Sequence, residues 1–220
     1  MNKPSLLNTC YLLLTTLILL LPSCNSTYTS KPRGYFKIDF PKREYIKFDK
    51  DNFPFSFEYP AYSRIVRDSS LFDSSLDNPY WFNIEFPSFN GKIYISYKTI
   101  GGQSVYKVKH GDKYVDSTGY NAFDKLVADA YKMTFKNDVK AYSIEDSLMH
   151  TVNGVTGVFF RVSGNVATAK QFFLTDTTRH FLRGALYFDV TPNEDSLQPV
   201  HNFLQADLMH IINTFKWKEK

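Results

Sequence analysis

The first two dozen residues constrain the chain most, because they decide the compartment in which everything after them folds. An apolar run of eleven residues extends from Tyr11 to Leu21, and Lys3 before it is the only charge among the first thirty residues. The run is too short to cross a membrane as a helix, which takes about 20 residues. A basic start, a short apolar region and a small residue at the cleavage point are typical of an export signal. We therefore predict that the chain is exported.

The end of the apolar run predicts lipid attachment. Leu21-Pro22-Ser23-Cys24 resembles a bacterial lipobox, in which an aliphatic and a small residue precede the modified Cys. Only sulfur can form the thioether to diacylglycerol, so Cys24 is the predicted lipidation site, carrying acyl chains such as palmitate. Residues 1–23 are then a lipoprotein signal peptide. Two or three chains make attachment effectively permanent, since each buried CH₂ contributes about 0.8 kcal/mol.

The alternatives are an ordinary secretory signal with a chance Cys, or a short buried helix. Pro22 and the polar residues 25–27 argue against a helix that continues past the run. Neither an Asp nor an acidic cluster follows Cys24, which disfavours inner-membrane retention and cell-surface display in bacteria that use those signals. The expected location is the cell envelope, with a lipid anchor in the outer membrane, at its periplasmic face.

Composition excludes several classes of function. Cys10 leaves with the signal and Cys24 carries lipid, so residues 25–220 contain no Cys. They can form no disulfide, no thiolate metal site and no Cys nucleophile. Removal of Lys3 leaves 25 basic residues against 22 acidic ones, a balance too even to indicate nucleic acid as a partner.

The stretch after the lipid site combines a linker with a basic, aromatic segment. Residues 25–34 are rich in Ser, Thr, Lys, Pro and Gly, which is typical of a tether. Between Lys31 and Lys50 basic residues outnumber acidic ones, and aromatic residues are interleaved with them. This pattern makes Lys31, Arg33 and Tyr35 candidate partner-binding residues. The alternative is a solvated tether that runs into an edge strand.

Residues 51–220 are expected to form one globular domain behind a lipidated N-terminus and basic tether at residues 24–50. Apolar residues alternate in several segments, which predicts strands, and recur every three or four residues in two others, which predicts helices. Residues 101–119 are predicted to be irregular, and Asn121 to cap the first helix. The predicted strands are residues 53–59, 81–86, 92–98, 141–150, 155–163, 166–174 and 181–190, and the predicted helices are residues 121–136 and a segment after Pro192.

This order predicts an α+β fold: an antiparallel sheet of about seven strands, four of them in a meander, packed with two helices. The order is similar to that of a Mog1/PsbP-like sandwich. The analogy concerns the fold and implies no function.

Motifs of known catalytic sites are missing from the sequence. It contains no His-Glu-x-x-His, no Gly-x-Ser-x-Gly and no phosphate-binding Gly-x₄-Gly-Lys-Ser/Thr. Asp207 and His210 lie three apart on the second predicted helix and could supply two metal ligands, but no third can be named, so a satisfied surface pair is expected. We predict no enzyme, no metal and no cofactor. A hydrolase with carboxylates dispersed along the chain is the remaining enzymatic alternative.

Aromatic residues near the ends of predicted elements are candidate interface anchors, because aromatic and Arg side chains dominate binding energy at interfaces. They are Tyr35, Phe36, Tyr80, Trp81, Tyr120 and Trp217.

Motifs along nearly the whole chain resemble those of one family. They are Ser30–Pro41, which contains Pro32-Arg33-Gly34-Tyr35, then Phe172–Asp176 with Phe181–Tyr187, and Pro192-Asn193 before a helix that ends in Thr214-Phe215-Lys216-Trp217. They are similar to the GldD-type gliding-motility lipoproteins. The resemblance implies a bacterial envelope lipoprotein needed for gliding, linked to the type IX secretion machinery, with other gliding-machinery lipoproteins as partners. It implies no catalytic residue and gives only Cys24 a defined role.

From the resemblance we expect a non-enzymatic accessory subunit, anchored to the outer membrane through its lipid. The alternative is a ligand- or glycan-binding envelope lipoprotein with a pocket between sheet and helix.

We predict that Cys24→Ala abolishes lipid attachment and signal cleavage at that site, because no other thiol is available nearby. Metabolic labelling with a clickable palmitate analogue checks this, with Cys10→Ala as the control that keeps its label. Label retained on the Cys24→Ala protein would contradict the prediction.

Overall fold

The computed structural model describes residues 37–67 and 80–219, together with Tyr11, Leu14 and Thr15. The chain divides into two compact units, Met1–Lys37 and Ile38–Lys220. The second unit begins upstream of residue 51, where the sequence places the start of the globular domain. The reason is that Ile38 and Phe48 belong to its core, the first at the margin and the second fully inside.

Twelve strands, two α-helices and one short 3₁₀ helix make up the regular structure of ranges 37–67 and 80–219. In chain order they are β1 (Tyr45–Phe48), β2 (Phe55–Pro60), β3 (Arg64–Val66), β4 (Phe82–Phe86), the 3₁₀ helix (Pro87–Phe89), β5 (Gly91–Thr99), β6 (Gln103–His110), β7 (Lys113–Tyr120), α1 (Phe123–Phe135), β8 (Ala141–His150), β9 (Thr156–Gly164), β10 (Lys170–Thr175), β11 (His180–Phe188), α2 (Glu194–Thr214) and β12 (Lys216–Trp217).

The main sheet has seven antiparallel strands in the order β3-β4-β5-β11-β10-β9-β8. Strands β8 to β11 follow one another along the chain, so the predicted meander is confirmed. Asn90, with a φ of 47°, makes the left-handed turn that leads into β5 and allows β4 and β5 to pair. With two helices on this sheet, the predicted α+β class is confirmed.

One face of the main sheet, here called the inner face, carries the larger core. Ile84 and Leu182 are buried on it and belong to one cluster with Leu208 of α2. A second sheet, in the order β1-β2-β12, adds the buried rings of Phe55 and Phe57 to the same cluster. Each such side chain contributes about 1.5–3 kcal/mol on burial, so this face is what holds α2 and the small sheet.

The opposite face, here called the outer face, is covered only in part. Leu126 and Ala130 of α1 pack there against Val158, Phe160 and Phe173. β4 and β5 contribute nothing to this second cluster, so their part of the outer face is not packed beneath α1. Neither α1 nor α2, nor any other helix within the described residues, has the length and hydrophobicity that a membrane span requires.

Two local predictions are wrong. Residues 101–119 form the β6–β7 hairpin, with Gly111 at a φ of 60° in its turn. Most of β7 is exposed, so the hairpin has no buried face to impose a clear alternation on the sequence. The helix cap is Ala122, whereas Asn121 donates its side-chain amide to the Thr99 carbonyl at 3.2 Å.

Acid should weaken the fold through a buried His on α2. His201 is buried, and its Nδ1 has no hydrogen-bond partner in the described structure. Burial, and then the positive charge of Lys170, lower the pKa of His201 to about 4, with Glu194 opposing the shift. The unfolded chain takes up this proton near pH 6.5. Stability is therefore complete above pH 6.5 and falls as the pH drops toward 4.

We predict that lowering the pH from 7 to 4.5 reduces the free energy of unfolding of both the native protein and His201→Phe. The reduction should be larger for the native protein, by on the order of 3 kcal/mol. Urea unfolding at both pH values measures this. Carboxylates titrate in both proteins and cancel in the comparison. Equal losses in the two proteins would show that His201 does not carry the effect.

Candidate functional site

The segment that enters the folded unit lies against α2 and is held there by one buried carboxylate. Asp207 of α2 has 0% of its side chain exposed. Tyr45 donates its hydroxyl to Oδ1 at 2.8 Å, and Tyr62 donates to Oδ2. The Nε of Arg43 lies 3.4 Å from Oδ1. We name these four side chains the Asp207 cluster; it joins β1, the turn after β2, and α2.

The two tyrosine hydroxyls contribute more to this cluster than the ion pair does. Arg43 is 41% exposed, and an ion pair so open to solvent contributes at most about 1 kcal/mol. A buried carboxylate without donors would cost several kcal/mol. Burial, and then the hydrogen bond to Asp207, raise the pKa of Tyr45 to about 12 and also raise that of Tyr62. Both hydroxyls therefore keep their protons and donate.

Aromatic contacts fasten the same segment to α2 at a second point. The ring of Phe40 stacks on Phe203 with centroids 4.3 Å apart, and Phe89 lies 5.7 Å from Phe203. The guanidinium of Arg43 lies 4.3 Å above the Phe203 ring, and its Nη2 donates to the Phe203 carbonyl at 3.0 Å. Such stacked and cation–π pairs each add about 0.5–1.5 kcal/mol.

The prediction that Asp207 and His210 form a pair on the surface is wrong. Asp207 is buried, whereas His210 pairs through Nε2 with Glu58 at 2.7 Å and stacks on Tyr45 at 3.5 Å. The sequence shows the spacing along the helix but not that residues 43–45 cover Asp207. Among the residues that the structure describes, no group of three or more His, Cys, Asp or Glu side chains could hold a metal ion.

The Asp207 cluster positions the chain and offers no accessible chemistry. Its carboxylate is closed to solvent, so a substrate cannot reach it. Its four side chains come from three separate parts of the chain, which it fixes relative to one another. A force applied to the N-terminal segment would therefore be transmitted to α2 through Arg43 and Tyr45.

The residues singled out from the sequence, Cys24, Lys31, Arg33 and Tyr35, lie outside the described residues. The basic segment that follows them can be traced from residue 37. It continues into β1, Tyr45–Phe48, which is an edge strand of the small sheet, as the alternative interpretation expects. The solvated tether of that interpretation stays a prediction, because it lies outside the described residues.

The β6–β7 hairpin, which we name the ribbon, is a second exposed feature. Within the described chain its strands pair only with each other. The register places Val105, Tyr114 and Tyr120 on one face, where they are 39%, 67% and 69% exposed. A lone two-stranded hairpin is only marginally stable in water, and open edges can pair with further strands. The ribbon therefore offers apolar side chains and strand edges to a partner.

The aromatic anchors expected from the sequence divide into two groups. Tyr120 is exposed, as predicted. Tyr80, Trp81 and Trp217 are only partly exposed, because their rings pack against the inner-face core. Tyr35 and Phe36 lie outside the described residues.

Comparison with protein families assigns the chain to a class, the gliding motility lipoproteins. The model of the family described as gliding motility lipoprotein GldD matches residues 25–217. The chain belongs to this family, and the resemblance found in the sequence is confirmed.

Other comparisons add little. No curated protein matches the chain. Among solved structures, the solution structure of cyanobacterial PsbP (CyanoP) from Synechocystis sp. PCC 6803 is similar, with 11% sequence identity, a TM-score of 0.42, and coverage of 86% of this chain and 98% of that chain. A likeness at this level carries no argument about function.

We predict that Asp207→Ala lowers the free energy of unfolding by about 3 kcal/mol, because it leaves two partly buried hydroxyls without an acceptor and Arg43 without its partner. Tyr62→Phe should cost about 1 kcal/mol, since it removes one hydrogen bond.

Urea unfolding measures both losses. The matched control is Asp112→Ala in the exposed turn of the ribbon, which should change stability by less than about 0.5 kcal/mol. The cluster would have no stabilising role if Asp207→Ala matched that control.

Proposed function

We propose that the protein is a non-enzymatic accessory subunit of the gliding motility machinery and of the type IX secretion apparatus linked to it. Acyl chains on Cys24 anchor it to the outer membrane at the periplasmic face. Membership of the GldD family supports the gliding role. The lipobox and the residues after it support the anchor and its location.

The path of the chain suits such a role. Residues 25–37 can extend over at most about 45 Å, so the folded domain stays close to the membrane that holds Cys24. The Asp207 cluster and the Phe40–Phe203 stack then tie the segment to α2. Lys31, Arg33 and Tyr35 lie within this short reach, where they can contact a partner next to the membrane.

The observation that carries the proposal is the ribbon. Val105, Tyr114 and Tyr120 are exposed on one face of a hairpin that no other described strand supports. Tyr side chains are typical anchors of protein interfaces, and strand edges bind partners through main-chain hydrogen bonds. We assign this face to another lipoprotein of the gliding machinery, since an accessory subunit must reach its neighbours by contact.

We predict that Tyr114→Ser together with Tyr120→Ser abolishes gliding and type IX cargo release while protein level and lipidation persist. Each lost anchor should weaken the contact by about 2 kcal/mol. A pull-down of the tagged protein from solubilised envelopes should lose its lipoprotein partner. The matched control is Tyr142→Ser on β8, which is 77% exposed and should leave both readouts unchanged.

The same assays separate the two proposed contacts. A Gly/Ser replacement of residues 28–37 keeps the reach of the tether but removes Lys31, Arg33 and Tyr35. Loss of motility with an intact anchor would support contact by that segment, and normal motility would make it a spacer. Unchanged partner recovery and motility in the ribbon variant would overturn the assignment of the ribbon.

A further inference from the structure

The outer face of the main sheet holds a cavity beside α1. It has a volume of about 480 Å³ and lies over β4 and β5, which the α1 cluster leaves uncovered, and over the adjacent part of β11. Register places Asn83 opposite Tyr94, and Ser96 opposite Arg183, on its floor. Met133 of α1 forms one wall. A volume of this order suits a small organic molecule.

Two cations line the cavity without acidic partners. Arg183 and Lys98 both contribute to its wall, and no Asp or Glu is among the described residues that line it. The Nη2 of Arg183 donates to Oε1 of Gln171. Within the described chain neither cation has a carboxylate at ion-pair distance, in contrast to Arg64, which pairs with Glu85 at 2.8 Å.

The environment of Arg183 favours an anionic ligand. Its guanidinium is partly buried, and burial lowers its pKa. A cation withdrawn from water gains most from a carboxylate, which can accept two parallel N–H bonds from the guanidinium fork. Gln171 is itself held by hydrogen bonds with Thr168 Oγ1 at 3.0 Å and with Thr134 Oγ1 at 3.3 Å. It therefore fixes the guanidinium of Arg183, but from one side only.

Aromatic rings line the rest of the cavity. Tyr94 and Tyr187 meet edge to face with centroids 5.1 Å apart. Trp81 is fixed by a hydrogen bond from its Nε1 to the Tyr97 carbonyl at 2.8 Å. These three side chains give the cavity apolar and aromatic walls. Such walls suit the uncharged part of a ligand whose charged end contacts Arg183.

We propose that this cavity binds a small organic carboxylate, with its carboxylate on Arg183 and Lys98 and its apolar, aromatic or sugar body against Tyr94, Tyr187 and Trp81. The site is independent of the accessory role, which depends on the ribbon and the anchor. An acidic sugar and the carboxyl terminus of a peptide share the chemistry that it recognises.

Calorimetric titration of the full lipid-anchored protein in non-ionic detergent tests the site. The probes are phenylacetate, p-nitrophenyl glucuronide and N-acetyltryptophan, each paired with its neutral counterpart: phenylacetamide, p-nitrophenyl glucoside and N-acetyltryptophanamide. At least one acid should bind at millimolar concentration or below, and its neutral counterpart about tenfold more weakly or worse. Preference for the glucuronide points to a sugar source, and preference for N-acetyltryptophan to a peptide terminus.

Variants identify the residues. Arg183→Met keeps an apolar stem and should weaken the acid about tenfold or more, with Arg183→Lys in between because it keeps charge but loses the fork. Lys98→Gln should weaken it less, and Lys109→Gln on the ribbon is the matched control without effect. If Arg183→Met fails to fold, Lys98→Gln and the comparison of acid with neutral probes still test whether the cavity binds a carboxylate. Binding of no acid, equal binding of acid and neutral probes, or binding unchanged in these variants would overturn the proposal.

Discussion

The fold depends on how a single buried carboxylate is satisfied. Asp207 lies on the covered side of α2. An unpaired charge there would cost several kcal/mol, which is a large part of the roughly 5–15 kcal/mol by which a domain is stable. Its donors come from Arg43, Tyr45 and Tyr62, so α2 is at its most stable only when the N-terminal segment lies across it. Formation of β1 and packing of α2 therefore depend on each other, and residues 43–45 are an integral part of the domain.

The two faces of the main sheet then serve different purposes. The inner face is closed by α2 and by the small sheet, whose Phe rings fill the space between them. The outer face is closed by α1 over β9, β10 and the start of β11, and it remains open over β4 and β5. Lys98 of β5 and Arg183 of β11 line this open part. The inner side is therefore closed by packing, whereas part of the outer side stays accessible to other molecules.

The sequence predicts the parts of this structure that a buried face imposes. The apolar residues of 155–163 reflect burial of this strand on both faces, and the helical stripe of Leu204, Leu208 and Ile211 reflects burial on one side. These elements appear where expected. The ribbon has no buried face, and its pattern gave no signal. The buried role of Asp207 was missed because its donors are distant in sequence: Tyr62 is 145 residues from Asp207. Arg183 was missed because the other strands that line its cavity are also distant in sequence.

Hydrogen exchange of the amides in Tyr45–Phe48 tests the central account most directly. In the native protein the amides on the open edge of β1 exchange fast, but those that bond to β2 should exchange as slowly as the amides of β2 itself. In Asp207→Asn the bonded β1 amides should exchange much faster by local opening, while β5 and β11 keep their protection. The account would be contradicted if the bonded β1 amides exchanged at the rate of an unstructured chain in the native protein, or if the substitution left their protection unchanged.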